Sequence, residues 1–154
     1  MTTGREAREL GKSSFWFDNS DDEFWSPEPA VGWRGWRWLG SRLRGMRSWW
    51  PSDVLVAECS FCRQVPGIDH TCGIYAVKPG YFNGYLAGGH IGVTGVVKLS
   101  GLVIEHERGY RAEVARITEL WAPSFLVSPI QASYPSVEVH TAEFKDGWFM
   151  TWET

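Results

Sequence analysis

Residues 93–117 read VTGVVKLSGLVIEHERGYRAEVARI, and this stretch decides the fold class. β-Branched residues recur at alternating positions through 93–106, the pattern of a strand with one face against a core. Gly101 interrupts it where a bulge or kink is expected. Glu107-Arg108-Gly109 then offers a three-residue turn ending in glycine, and residues 110–117 resume the alternation as the return strand. Working outward, residues 137–144 and 148–152 flank Lys145-Asp146-Gly147, a second hairpin with the Asp-Gly turn signal. Residues 54–58 and 73–77 read as short strands, and 78–92, rich in glycine and tyrosine, as a long loop. Pro123, Pro129 and Pro135 predict an irregular stretch between the hairpins.

Towards the N-terminus, Trp36 and Trp38 alternate with Arg37 as in a half-buried strand, while 39–46 are compatible with a short helix. Residues 1–30 read as a partly irregular extension, and 31–154 as a single β-rich domain. A chain of 154 residues can bury a core without disulfides. Seventeen glycines and ten tryptophans favour short strands and tight turns. The expected fold is mostly β: a small twisted antiparallel sheet or partly open barrel with a zinc knuckle and at most one or two short helices.

The knuckle is Cys59-x2-Cys62-x7-His70-x-Cys72, which gathers every cysteine of the chain and one of its four histidines into 14 residues. Cys-x2-Cys turns two thiolates towards one ion, and a bend at Pro66-Gly67 can return His70 and Cys72 to them. On a strand, His-x-Cys would share one face. Three sulfurs and one imidazole match closed, four-coordinate structural zinc. Free buried thiols, a disulfide and an iron–sulfur cluster are the other readings, of which the disulfide suits an intracellular chain least.

Charge and hydropathy narrow the function classes. Hydrophobic residues make up 44% and charged residues 21%, ordinary for a globular domain. No apolar run reaches the ~18 residues of a membrane span, and the polar start lacks a signal-peptide core. A cytoplasmic protein without membrane contact is expected. The net charge of -3 argues against a protein coated in nucleic acid, yet residues 29–52 carry five arginines and no acid. There, Trp33, Arg34, Trp36, Arg37, Arg42, Arg44 and Arg47 form the candidate contact surface. Arginine pairs with phosphate or carboxylate and tryptophan stacks on bases. The ordinary alternative is a strand with tryptophans inward and arginines solvated.

The segments CGIYAV (72–77) and GVVKLSGLVIEHERGYRAEVARITELWAP (95–123) resemble a family of small actinobacterial and actinobacteriophage proteins without an assigned activity. The family pattern runs Ala-x-Cys, Cys-x-Cys-Gly-Ile-Tyr-Ala, a Val-x-Leu-x-Gly-x-Val-x-x-His strand and Gly-Tyr-Arg-Ala-Glu. These correspond here to Ala57–Cys59, His70–Ala76, Val97–His106 and Gly109–Glu113, so the resemblance spans about residues 31–123. His70 stands where the family has a cysteine, an exchange that a metal site tolerates and a disulfide does not. The resemblance implies architecture and metal, and an accessory or modulator protein, in host cytoplasm if phage-encoded.

Catalytic signals are weak. His106 lies between Glu105 and Glu107, opposite Arg111 and Glu113 across the hairpin; cross-strand charge pairing is its ordinary reading and general acid–base chemistry the other. His90 stands in a glycine-rich loop, and His140 reads as strand surface. No phosphate-binding glycine loop, H-E-x-x-H or G-x-S-x-G is present. The leading expectation is a non-enzymatic binding module with structural zinc and a protein partner. Nucleic-acid binding through residues 33–50 is the first alternative, and a small hydrolase or nuclease using His106 or His90 with nearby glutamates is the second.

Overall fold

The computed structural model describes residues 22–25, 30–45, 48–68, 70–81, 92–145 and 148–150. Among them are eleven strands, β1 (Asp22–Trp25), β2 (Ala30–Leu39), β3 (Arg42–Arg44), β4 (Trp49–Trp50), β5 (Val54–Val56), β6 (Ile74–Val77), β7 (Gly92–Glu105), β8 (Gly109–Ala122), β9 (Glu138–Thr141), β10 (Glu143–Lys145) and β11 (Trp148–Met150). One α-helix, α1 (Ser124–Ser133), and a 3-10 turn at Pro79–Tyr81 complete the secondary structure of these residues. The expected mostly-β fold is what forms. Hydrogen-bonded neighbours run β1-β7-β8-β6-β2-β3-β4, and β7 also pairs with β2, so β7, β8, β6 and β2 close a partial ring. β5 and β9 pair with β8, while β10 and β11 form a separate hairpin.

Several elements differ from expectation for identifiable reasons. Residues 22–25, inside the expected irregular extension, pair antiparallel with β7 from Asp22↔Glu105 to Trp25↔Leu102. Residues 39–45, the described part of the expected short helix, form no helix: Gly40-Ser41 turns β2 directly into β3, with Leu39 opposite Arg42. The proline-marked stretch contains α1, with Pro129 inside it. A helical proline forfeits one backbone hydrogen bond, and here Leu126 and Ile130, four apart and both buried, supply the packing that offsets it. β9 joins β8 in parallel, Glu119↔Glu138 and Trp121↔His140, so the sheet is mixed rather than antiparallel. The second hairpin forms in shortened form: β10 pairs with β11, and Lys145, expected in the turn, stands opposite Trp148, whereas 138–141 of the expected first arm pair with β8 instead; residues 146 and 147 lie outside the described residues.

The chain folds as two compact units, the first containing Val56–Tyr81 and Lys98–Ala115, the second Trp33–Leu55 and the residues from Arg116 onward. In the first, Ile74, Ala76, Leu99, Ile104 and Ala112 are buried at alternating strand positions. Gly101 has φ +75°, and a Cβ there would run into the Glu113 side chain, whose Oε1 accepts the Leu102 N–H at 3.0 Å. Only glycine takes that conformation without strain.

In the second unit, Trp36, Trp38, Leu43 and Trp50 turn inward. Trp36 and Trp50 meet edge-to-face at 5.4 Å, and Tyr134 from the end of α1 packs on Trp38 at 6.4 Å. The Tyr134 hydroxyl accepts the Leu43 N–H at 2.9 Å and donates to the Trp50 carbonyl. α1 is thereby tied to the inner side of β3 and β4.

Candidate metal centre

The four predicted ligands come together. β5 leads into Cys59, β6 leaves Cys72, and one ligand atom from each of Cys59, Cys62, His70 and Cys72 lies within 4.8 Å of every other. The Cys59 Sγ is 3.5 Å from His70 Nδ1, and the Cys62 and Cys72 sulfurs are 3.7 Å apart. A tetrahedral ion with metal–sulfur bonds of about 2.3 Å and a metal–nitrogen bond of about 2.0–2.1 Å needs edges of about 3.8 Å between sulfurs and about 3.5 Å from sulfur to nitrogen. The group could therefore hold a metal ion with little rearrangement.

Local backbone explains the convergence. Residues 70–72 are not on a strand, contrary to the simplest reading of His-x-Cys; β6 begins only at Ile74. The expected bend does occur at Pro66-Gly67, where the Gly67 N–H donates to the Cys72 sulfur at 3.1 Å. A Cβ on Gly67 would lie 2.5 Å from the Cys62 sulfur, so only glycine lets the loop close on the first cysteine pair.

The thiols do not titrate alike. The Phe61 backbone N–H holds Cys59 below its ordinary range despite a contribution from desolvation in the other direction. Desolvation, reinforced by Cys72 and Cys59, pushes Cys62 up to about 12. Three thiolates in one site repel one another, and a bound cation removes that penalty.

Behind the ligands sits Arg111, fully buried on β8. Its Nη1 donates to the carbonyls of Gly67, His70 and Cys72 at 3.1, 2.6 and 2.9 Å, and its Nε donates to His106 Nε2 at 3.2 Å. One guanidinium thus gathers the backbone of His70 and Cys72 and of the bend that precedes them. The expected solvated charge pairing across this hairpin is corrected: Arg111 and His106 are both 0% exposed. Glu105 instead pairs with Lys78 at 2.5 Å, and Glu113 caps the Leu102 amide. The sequence signal for Arg111 was its position, since on β8 it shares inward parity with Ala115 and Ile117. His90, the other catalytic candidate, lies outside the described residues.

The arginine–tryptophan window sorts into two sets. Trp36 is 2% exposed, and Arg34 is half-buried with its guanidinium 5.2 Å from the ring centres of both Trp36 and Trp50. Desolvation lowers the Arg34 pKa to about 10. Trp36 is sealed from solvent and is not a contact-surface residue, while Arg34 shares its strand parity and leans on the two indoles. Trp33 is half-buried against Trp121 at 5.2 Å. Arg37, Arg42 and Arg44 lie on the outward side with Trp49, a residue not foreseen as part of the surface; Arg47 lies outside the described residues.

A further group was not foreseen. In register on β8 and β9, Glu119, Glu138 and His140 offer ligand atoms within 4.8 Å of one another and could hold a metal ion. His140 Nε2 is 3.1 Å from Glu119 and 3.4 Å from Glu138, and its ring stacks on Trp121 at 5.0 Å. The same contacts describe an ordinary half-exposed ion-pair triad.

No protein-family model, curated protein or solved structure matches the chain. The site defines a β-domain with a Cys3His group able to bind metal. Among the described residues, no helix is long and apolar enough to cross a membrane.

Proposed function

We propose that the chain is a non-enzymatic binding module: Cys59, Cys62, His70 and Cys72 hold a structural zinc, and the outer side of β2–β4 meets an anionic partner. Zinc suits three thiolates and an imidazole in tetrahedral array, and four protein donors leave no open position for a substrate or water. A thiolate site also suits a reducing, cytoplasmic setting.

The observation carrying the binding role is the strand register. Arg37↔Arg44, Leu39↔Arg42 and Arg44↔Trp49 are paired neighbours, so three cations and an aromatic ring share the outward side while Trp36, Trp38, Leu43 and Trp50 fill the inward one. The hydrolase reading loses support at His106, which is sealed from solvent and engaged by Arg111. An accessory role in an actinobacterium or its phage is supported by the motifs at 72–77 and 95–123 alone.

The test is paired. Elemental analysis should find about one zinc per chain, and the protein should be retained on a polyanion matrix until moderate salt. The R37E/R42E/R44E variant should elute early with its zinc intact. Equal elution of variant and wild type would refute the contact surface, and absence of zinc with three titratable thiols would refute the metal.

A further inference from the structure

The outer side of β2–β4 has more specific chemistry than a generic cationic patch. Trp49 is 50% exposed, with the Arg44 guanidinium 5.2 Å from its ring centre. Beside it, Leu39, Ser41, Arg42 and Trp49 line a shallow, open depression. Arg42 and Arg44 stand two positions apart on β3, about 6.6 Å at the usual rise of about 3.3 Å per residue. Arg37 stands directly across from Arg44. The surface therefore offers a compact group of three cations on two adjacent strands beside an aromatic ring, with a shallow hollow next to it. No aspartate or glutamate interrupts residues 29–52.

We infer that this side binds single-stranded nucleic acid, with Arg37, Arg42 and Arg44 on successive phosphates and a base stacked on Trp49. The inference rests on the contact surface proposed above and adds the class of partner. A cationic track beside an aromatic platform is the arrangement by which unpaired strands are held without sequence readout. Guanidinium groups take phosphate in two-point fashion, and Arg44 polarises the ring on which the base stacks. Duplexes fit less well, because their bases are already stacked and paired. An acidic protein would also satisfy the arginines, but an unpaired strand brings both its phosphates and a free flat base to the half-exposed indole. The overall charge of -3 limits the footprint to this patch, so binding is local and salt-sensitive.

The experiment uses the full zinc-loaded chain and a fluorescein-labelled 12-nucleotide oligouridylate or oligothymidylate, read by anisotropy. A glutamate-rich peptide of equal charge and a duplex of equal length serve as competitors. Three phosphate contacts predict a log–log salt slope of about -2 at about -0.7 per contact, hence about 15-fold weaker binding between 50 and 200 mM salt. W49A should weaken binding about 5- to 150-fold with the salt slope unchanged, the range for loss of one base–aromatic stack. R37Q/R42Q/R44Q should flatten the slope. These side chains lie on the outer surface, and unchanged circular dichroism will verify the fold in each variant.

Preferential binding of the peptide, abolished by the arginine substitutions, would overturn the nucleic-acid inference and leave the contact surface standing. A concentration-dependent dimer lost in R42E would assign the surface to a second copy of the chain and likewise overturn it. No binding of any probe, with retention on polyanion indifferent to the arginines, would overturn both.

Discussion

Replacing Arg111 with methionine should do more damage than replacing any exposed arginine, and the structure allows the size to be worked out. Methionine keeps much of the aliphatic volume and removes every donor. Four acceptors lose a partner: the carbonyls of Gly67, His70 and Cys72, and Nε2 of His106. A buried acceptor left unsatisfied costs about 1–3 kcal/mol, while water admitted by the slimmer side chain restores some of them. The expected loss is about 3–5 kcal/mol, similar to breaking other buried charged networks. Against a total stability of about 5–15 kcal/mol this is severe but survivable. At about 2–4 °C per kcal/mol, the midpoint should fall by about 6–20 °C. Urea unfolding with excess zinc gives the stability, and competition with a chromogenic chelator gives the metal affinity. R111K is the informative companion. Its ammonium can reach some of the loop carbonyls but supplies no second nitrogen to His106, so it should recover zinc affinity better than stability. An R111M protein with wild-type urea midpoint and wild-type zinc affinity would refute the role assigned to this side chain.

Other consequences are open to simpler assays. Chelation should destabilise the wild type, whereas C72S should already be destabilised and should show little further response; an unchanged melting curve with chelator would count against a structural metal. Y134F removes the acceptor of the Leu43 N–H and the donor to the Trp50 carbonyl, so denaturant titration should show a loss of about 1–3 kcal/mol. Burial also raises the Tyr134 pKa, so above the ordinary phenol value of about 10 the unfolded chain releases a proton that the native state retains. Stability must then fall as pH rises through that region, and Y134F should make the fall shallower; identical slopes would exclude Tyr134 as a contributor. G101A forces a Cβ into a left-handed residue and towards Glu113, and should lower stability by about 1–2 kcal/mol in the same titration.

Much of this architecture was legible because alternation in a strand is a strict code. Residues 93–117 gave the central hairpin, and its glycine kink fell at Gly101. The cysteine spacing pointed to all four members of the cluster because chelation needs donor types and chain reversals that are visible in the sequence. The losses have a common cause in long-range contacts. Parallel pairing of β9 with β8 brings Glu119 beside Glu138 across 19 positions of sequence, and no local pattern encodes that neighbour. Helix α1 was hidden by Pro129, whose local penalty is outweighed by burial of Leu126 and Ile130. Trp49 was overlooked as a surface residue because the pair Trp49-Trp50 reads as uniformly apolar, while a strand must turn one of the two outward.

The arginines show how the same residue type divides between two roles. On β2 and β3, Arg37, Arg42 and Arg44 occupy outward positions and retain water on their guanidinium groups. Arg34 is half-buried, and the rings of Trp36 and Trp50 partly replace its hydration; its pKa, lowered to about 10 by desolvation, shows that the replacement is incomplete. Arg111 recovers more, because its burial is matched by carbonyls that need donors once the ligand loop folds over it. With the proposed divalent ion, three thiolates would leave a charge of about -1 at the site, so a buried guanidinium nearby would be favourable once metal is bound. Loop closure, metal charge and arginine burial then support one another: each of these groups would be costly to bury alone. The arrangement explains why residues 67–72 need no strand to align His70 with Cys72. It also separates the two kinds of arginine experimentally, since substitutions at 37, 42 and 44 should alter binding while sparing the melt, and substitution at 111 should do the reverse first.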